Sequence, residues 1–191
     1  MQKIVVFASG AGSNAKKIID YFQEHKLIKV SLIACNKPGA GVLNIAEQAG
    51  IPTLLIDKEK FFRGNAYIDE LKERGIGFIV LAGFLWKIPD AFIKAYPGKI
   101  INIHPALLPN YGGKGMYGGF VHEAVITNKD KESGITIHYV DEHYDHGDII
   151  FQARCAIEEG DSPEMLAKKI HLLEHEYYPK VIEKTILSGI Q

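Results

Sequence analysis

A chain of 191 residues, 47% apolar and 24% charged, is long enough to bury one continuous core and fits a single domain spanning 1–191. A net charge of -1 excludes the broad basic field expected of a protein that binds nucleic acid or an anionic membrane. No apolar run reaches the length of a membrane span, and the two cysteines, Cys35 and Cys155, read as buried free thiols of a reducing cytoplasm.

The opening "KIVVFAS" is β-branched, apolar and too short for a secretory core, so it predicts a strand. Helical spacing follows in "NAKKIIDYFQEH". The alternation repeats: "VSLIACN" then "VLNIAEQAG", "IPTLLID" then "NAYIDELKERG", "FIVLAGF" then "PDAFIKAYP", and "KIINIHP" last. Strands apolar on both faces, separated by amphipathic helices, predict a parallel sheet covered on both sides. Beyond residue 105 the pattern changes to a Gly-rich loop, "NYGGKGMYGG", and a short helix near "FVHEAVIT". "SGITIHYVDE" and "DIIFQARCAI" then predict an antiparallel hairpin, and Ser162-Pro163 caps a long final helix to about residue 187. The expected fold is a three-layer α/β domain with a mostly parallel sheet.

The loop "SGAGSNA" joins the first strand to the first helix. Gly10 and Gly12 permit a tight turn and close backbone approach, and the helix start offers free amides suited to a phosphate. The stretch matches the dinucleotide pattern G-x-G-x-x-A, but the second strand ends at Asn36-Lys37, where a nicotinamide dinucleotide site carries an acid. Ser13 and Asn14 add side-chain donors, which favours a phosphate monoester on a small substrate.

In "INIHPALLP", residues 101–109, Asn102 and His104 stand two apart and share one face of a strand at its carboxyl end. Amide and imidazolium donors together can hold an oxygen gaining negative charge, as acyl transfer requires. A carboxylate from the polar turn "VDEHYDHGD", residues 140–148, would stabilise the imidazolium; Asp141, Glu142, Asp145 and Asp148 all qualify by type. There is no serine nucleophile elbow, so direct attack by a substrate amine on an activated acyl donor fits better than a covalent intermediate.

The run Asn102 to Pro109, with the D-x-G turn at Asp145-His146-Gly147, resembles the folate-dependent formyltransferases. The resemblance covers nearly the whole chain and implies their Rossmann-like fold and a transfer from 10-formyltetrahydrofolate with no metal required. "SGAGSN" and "LAGFLWKI" narrow the implied acceptor to the amine of glycinamide ribonucleotide, in purine biosynthesis. Carried over by position, His104 is the implied general acid, Asn102 its partner at the tetrahedral intermediate, and Asp145 the supporting carboxylate. Gly12, Ser13 and Asn14 match contacts to the ribose phosphate, and Glu174 a carboxylate near the glycinamide amine. Leu85, Trp86, Lys87 and Ile88 match the pterin-side folate pocket, with Trp86 and Lys87 replacing the commoner Met-Arg pair. Arg63 falls beside a folate-contacting arginine after a one-residue shift. The five glycines of "YGGKGMYGG" predict a mobile lid.

Length and near-neutral charge argue against the relative that formylates initiator tRNA, and the start at the first strand argues against the deformylase relative. Small-molecule substrates, a cytoplasmic setting and a monomer or homodimer are expected. "HLLEH", residues 171–175, matches an inverted zinc-protease pattern, but the same helix supplies core-facing Ile170, Leu173, Tyr177 and Val181. His171 and His175 are expected to be a surface pair.

Overall fold

β-branched and apolar residues alternate across the first strand, sending Ile4 and Val6 to one side and Val5 and Phe7 to the other. The computed structural model, which describes residues 1–189, sets this strand near the middle of one sheet. Five parallel strands, β1 (Gln2–Ala8), β2 (Ile28–Cys35), β3 (Thr53–Leu55), β4 (Ile76–Leu81) and β5 (Ile100–His104), are joined by antiparallel β6 (Glu132–Tyr139) and β7 (Ile149–Ala156). Their order is β3-β2-β1-β4-β5-β6-β7. The edge strand β3 is shorter than the predicted run "IPTLLID". Pro52 has no N–H to add to the ladder and contributes only its carbonyl, which accepts the Ile33 N–H at 3.0 Å; the strand proper starts at Thr53.

Helices α1 (Ser13–Phe22), α2 (Gly41–Gln48), α6 (Gly119–Thr127) and α7 (Pro163–Ser188) cover one face; α3 (Lys58–Arg63), α4 (Ala66–Glu73) and α5 (Asp90–Ala95) cover the other. Burying each large apolar side chain, such as Ile182 or Phe92, contributes about 1.5–3 kcal/mol. The six-residue α3 is not evident from the sequence pattern. Less than two turns long, it owes its start to Asp57, whose side chain accepts the Lys60 N–H at 3.0 Å. The predicted cap of α7 is present, with Ser162 Oγ accepting the Met165 N–H at 3.3 Å. Both cysteines are free thiols, but only Cys35 is fully buried; Cys155, on the last strand, is half-buried.

The strand order reverses direction at β1, since β2 and β3 lie to one side and β4 and β5 to the other. Open α/β sheets form their crevice at such a point, beyond the carboxyl ends of the strands. Here the ends of β1, β4 and β5 lie side by side.

Candidate active site

Along β5, Ile101 and Ile103 pack into the core beneath α7, so Asn102 and His104 point to the opposite face. Among the described residues, that face carries no helix beyond β5. The segment after β5 covers it instead, held by Thr136 Oγ1, which donates to the Ala106 carbonyl at 2.7 Å and accepts the Leu108 N–H at 2.9 Å. Gln152 Nε2 donates to the Leu108 carbonyl at 3.0 Å. Backbone held this way supplies a polar lining where a helix would have supplied an apolar one.

His104 is 4% exposed. Its Nε2 lies 2.7 Å from the Tyr111 carbonyl, which can only accept, so a proton resides at Nε2. Nδ1 is thereby turned toward Asp145 Oδ2, 3.6 Å away. The Asn102 amide nitrogen lies 3.2 Å from His138 Nε2 and 3.5 Å from Asp145 Oδ1. His138 donates from Nδ1 to the Tyr139 carbonyl at 2.7 Å, so its Nε2 is the acceptor that orients the amide. Burial holds the His138 pKa below its ordinary value, which keeps that acceptor unprotonated.

Among the four acids in the 140–148 turn, Asp145 is the one that reaches the strand end. Its backbone adopts φ 53°, and its Oδ2 also accepts the Gly113 N–H at 3.0 Å. Two residues on, a β-carbon at Gly147 would collide with the Tyr139 carbonyl. Only glycine lets the turn fold back this closely against β6.

The first loop forms the opposite wall. Gly12, at φ 83°, caps α1 without a side-chain hydrogen bond, so the first amides of the helix have no capping side chain to satisfy them. Ser13 and Asn14 open that helix. Asn14 Nδ2 donates to Glu174 Oε2 at 3.0 Å, and the same buried oxygen accepts from His171 Nδ1 at 2.9 Å. The bond to Glu174 raises the His171 pKa. His122 is buried nearby with no hydrogen-bond partner on Nδ1 among the described residues, and burial lowers its pKa. A cavity of about 740 Å³ connects both walls, lined by Gly12, Ser13, Asn14, Leu85, Asn102, His104, Asp145 and Glu174, with the 113–119 glycine loop along its side. That volume is ample for two small substrates.

Residues 2–182 match the family described as formyl transferase. The chain belongs to the formyl transferase family. Relatives include the phosphoribosylglycinamide formyltransferase of Bacillus subtilis, 39% identical over 191 residues and covering 97% of this chain and 95% of that protein. The chloroplastic enzyme of that name from Arabidopsis thaliana is 40% identical over 187 residues, covering 95% of this chain; the chain spans 64% of that relative's length. The crystal structure of phosphoribosylglycinamide formyltransferase from Bacillus halodurans superposes with a TM-score of 0.88 at 37% identity, covering 100% of this chain and 97% of that one. The mixed sheet and long last helix are thus the formyltransferase fold.

Of the residues matched to the family's pterin pocket, Leu85 lines the cavity. Its N–H is held by Ser9 Oγ at 3.0 Å. Trp86 turns away to pack against Phe61, Phe62 and Phe84, Ile88 is buried in the core on the α4–α5 side, and half-buried Lys87 does not line the cavity. Arg63 is exposed on α3 and paired with Glu59 at 2.8 Å, outside the cavity lining. The expected surface pair on α7 holds in part: His171 is exposed, at the rim of the cavity it helps to line, whereas His175 is half-buried, their rings stacked at 6.1 Å. Glu174 between them is buried and is engaged from the side of α1 by Asn14.

Sequence reasoning missed His138, His122 and His171. For His138 a signal existed. "TIHY" repeats on β6 the polar alternation of "NIH" on β5, and the register sets His138 directly opposite Asn102.

Proposed function

We propose that this chain transfers a formyl group from 10-formyltetrahydrofolate to the amine of glycinamide ribonucleotide, by direct amine attack through a tetrahedral intermediate. The observation that carries this reading is the convergence of Asn102, His104 and Asp145 at one wall of a cavity whose far wall is a helix start suited to phosphate.

Gly12, Ser13 and Asn14 hold the substrate phosphate and ribose, and Glu174 receives the amine. The folate lies along Leu85 and the 140–148 turn. As the amine nitrogen bonds to the formyl carbon, the carbonyl oxygen takes up negative charge. His104, protonated on both ring nitrogens, directs Nδ1–H at that oxygen, while the Tyr111 carbonyl keeps the ring from rotating. The 3.5 Å contact from Asn102 to Asp145 is the longest a hydrogen bond tolerates, so that amide hydrogen is the one the oxyanion takes over. Asp145 stabilises the imidazolium from 3.6 Å. Collapse breaks the bond from carbon to the folate nitrogen, the amine loses a proton, and the departing nitrogen gains one, leaving a formamide and tetrahydrofolate.

One domain, 1–191, suffices for this reaction as proposed. Two free thiols suit a reducing, cytoplasmic setting. The test is to mix the protein with 10-formyl folate and glycinamide ribonucleotide and follow deformylated folate by absorbance. Turnover should depend on the ribonucleotide. Equal folate turnover in its absence would make the protein a hydrolase and end the proposal.

A further inference from the structure

The turn that delivers Asp145 carries a second constellation facing away from the cavity. Asp141, His143 and His146 each offer one ligand atom, and these atoms lie within 4.8 Å of one another. His146 Nδ1 is 3.4 Å from Asp141 Oδ2, and His143 Nδ1 is 4.0 Å from Asp141 Oδ1. The two imidazole rings are 5.5 Å apart. Both histidines are exposed, and among the described residues neither ring donates to or accepts a hydrogen bond from another group. The Asp141 carboxylate, by contrast, is already oriented, since Oδ1 accepts the His143 backbone N–H at 2.8 Å.

From this geometry we infer a binding site for a divalent transition ion of the zinc class, formed by Asp141, His143 and His146. Two neutral imidazoles and one carboxylate are the ligand types that borderline ions such as Zn²⁺ take, and three protein ligands leave a position open to water. Ligands at about 2.0–2.1 Å from one tetrahedral ion are about 3.3–3.4 Å apart. The Asp141–His146 pair already has that spacing, and side-chain rotation of exposed His143 closes the remainder. Two features fix the turn beneath them: the close approach of Gly147 to Tyr139, and the Tyr139 N–H donating to the Asp148 carbonyl at 2.9 Å. The ion needs no backbone rearrangement. Asp145, whose carboxylate points to Asn102 and His104, is bracketed in sequence by the ligands, so the ion stiffens the segment that positions it.

Isothermal titration of the whole chain with zinc chloride tests this, with the visible spectrum of the cobalt-substituted protein as a second readout. The expected result is one equivalent bound, with tetrahedral cobalt bands, and affinity reduced at least about tenfold in each of His143→Ala and His146→Ala. Asp141→Asn keeps the acceptor for the His143 amide and should also weaken binding. His175→Ala, on the α7 pair, should bind zinc as the parent does. No zinc uptake, or uptake unchanged in both turn histidine variants, overturns the inference.

Discussion

At the scale of single residues, the chemistry depends on which nitrogen of each histidine is occupied. Backbone carbonyls fix both rings at the centre: that of Tyr111 accepts a hydrogen bond from His104 Nε2, and that of Tyr139 accepts one from His138 Nδ1. His104→Ala and Asn102→Ala should each lower the rate of formyl transfer by on the order of a hundred- to a thousand-fold while both substrates still bind, as single-turnover rates and equilibrium binding will show. Asp145→Asn should behave similarly; near-parental rates for it and Asn102→Ala together would remove the mechanism.

Protonation also sets an acid limit on stability. His122, His138 and His175 have pKa values lowered by burial from an ordinary 6.5, so below that pH the unfolded chain binds protons the folded one refuses. Their contribution is complete above 6.5 and is lost as pH falls from there toward the folded values. His171 opposes this: its pKa is raised by Glu174, so its contribution is present below 6.5 and lost as pH rises through its folded value. With three groups against one, the melting temperature should fall between about pH 7.5 and about pH 5.5, and His122→Gln should flatten that fall. A melting temperature that rises on acidification would refute the balance.

Among the elements, the strands and long helices were legible because period-two and period-3.6 patterns are local. Asp145 was not separable from Asp141, Glu142 and Asp148 on residue type, because what selects it is a left-handed backbone and the fold-back at Gly147, both properties of the folded turn. Trp86 likewise carries no sequence sign of turning from the cavity toward Phe61 and Phe84; the aromatic cluster that draws it in assembles from α3 and the segment after β4 only in three dimensions. Asn14 and Glu174 are 160 positions apart, and their bond unites two residues that sequence could only assign separately. The first loop provides a test at this scale. Gly12 holds φ 83°, and a β-carbon there would lie 2.8 Å from Val42 Cα. Gly12→Ala should therefore displace the start of α1 and raise KM for the phosphorylated substrate far more than KM for folate, a split that steady-state kinetics will read.

For the molecule as a whole, α7 binds the two halves of the sheet together. Tyr178, fully buried in its middle, donates its hydroxyl to the Leu81 carbonyl at 2.8 Å, below the end of β4. Tyr178→Phe removes a buried donor at little cost in volume and should destabilise the fold by about 1–3 kcal/mol in denaturant melts. The same helix carries Glu174 one turn earlier, so this cavity-lining carboxylate is anchored by core packing and not by a loop.

The antiparallel pairing of β5 with β6 sets Asn102 against His138 and His104 against Thr136. Side chains reverse face with every residue, so sliding β6 by one place would aim its histidine into the apolar layer under α7 and bring Ile137 beside the Asn102 amide. Alignment of these two strands is therefore itself a component of the proposed catalyst. Adding a single amino acid inside β6 should abolish turnover even in molecules that still fold, whereas the same addition in the glycine-rich crossing at 113–119 has no ladder to disturb.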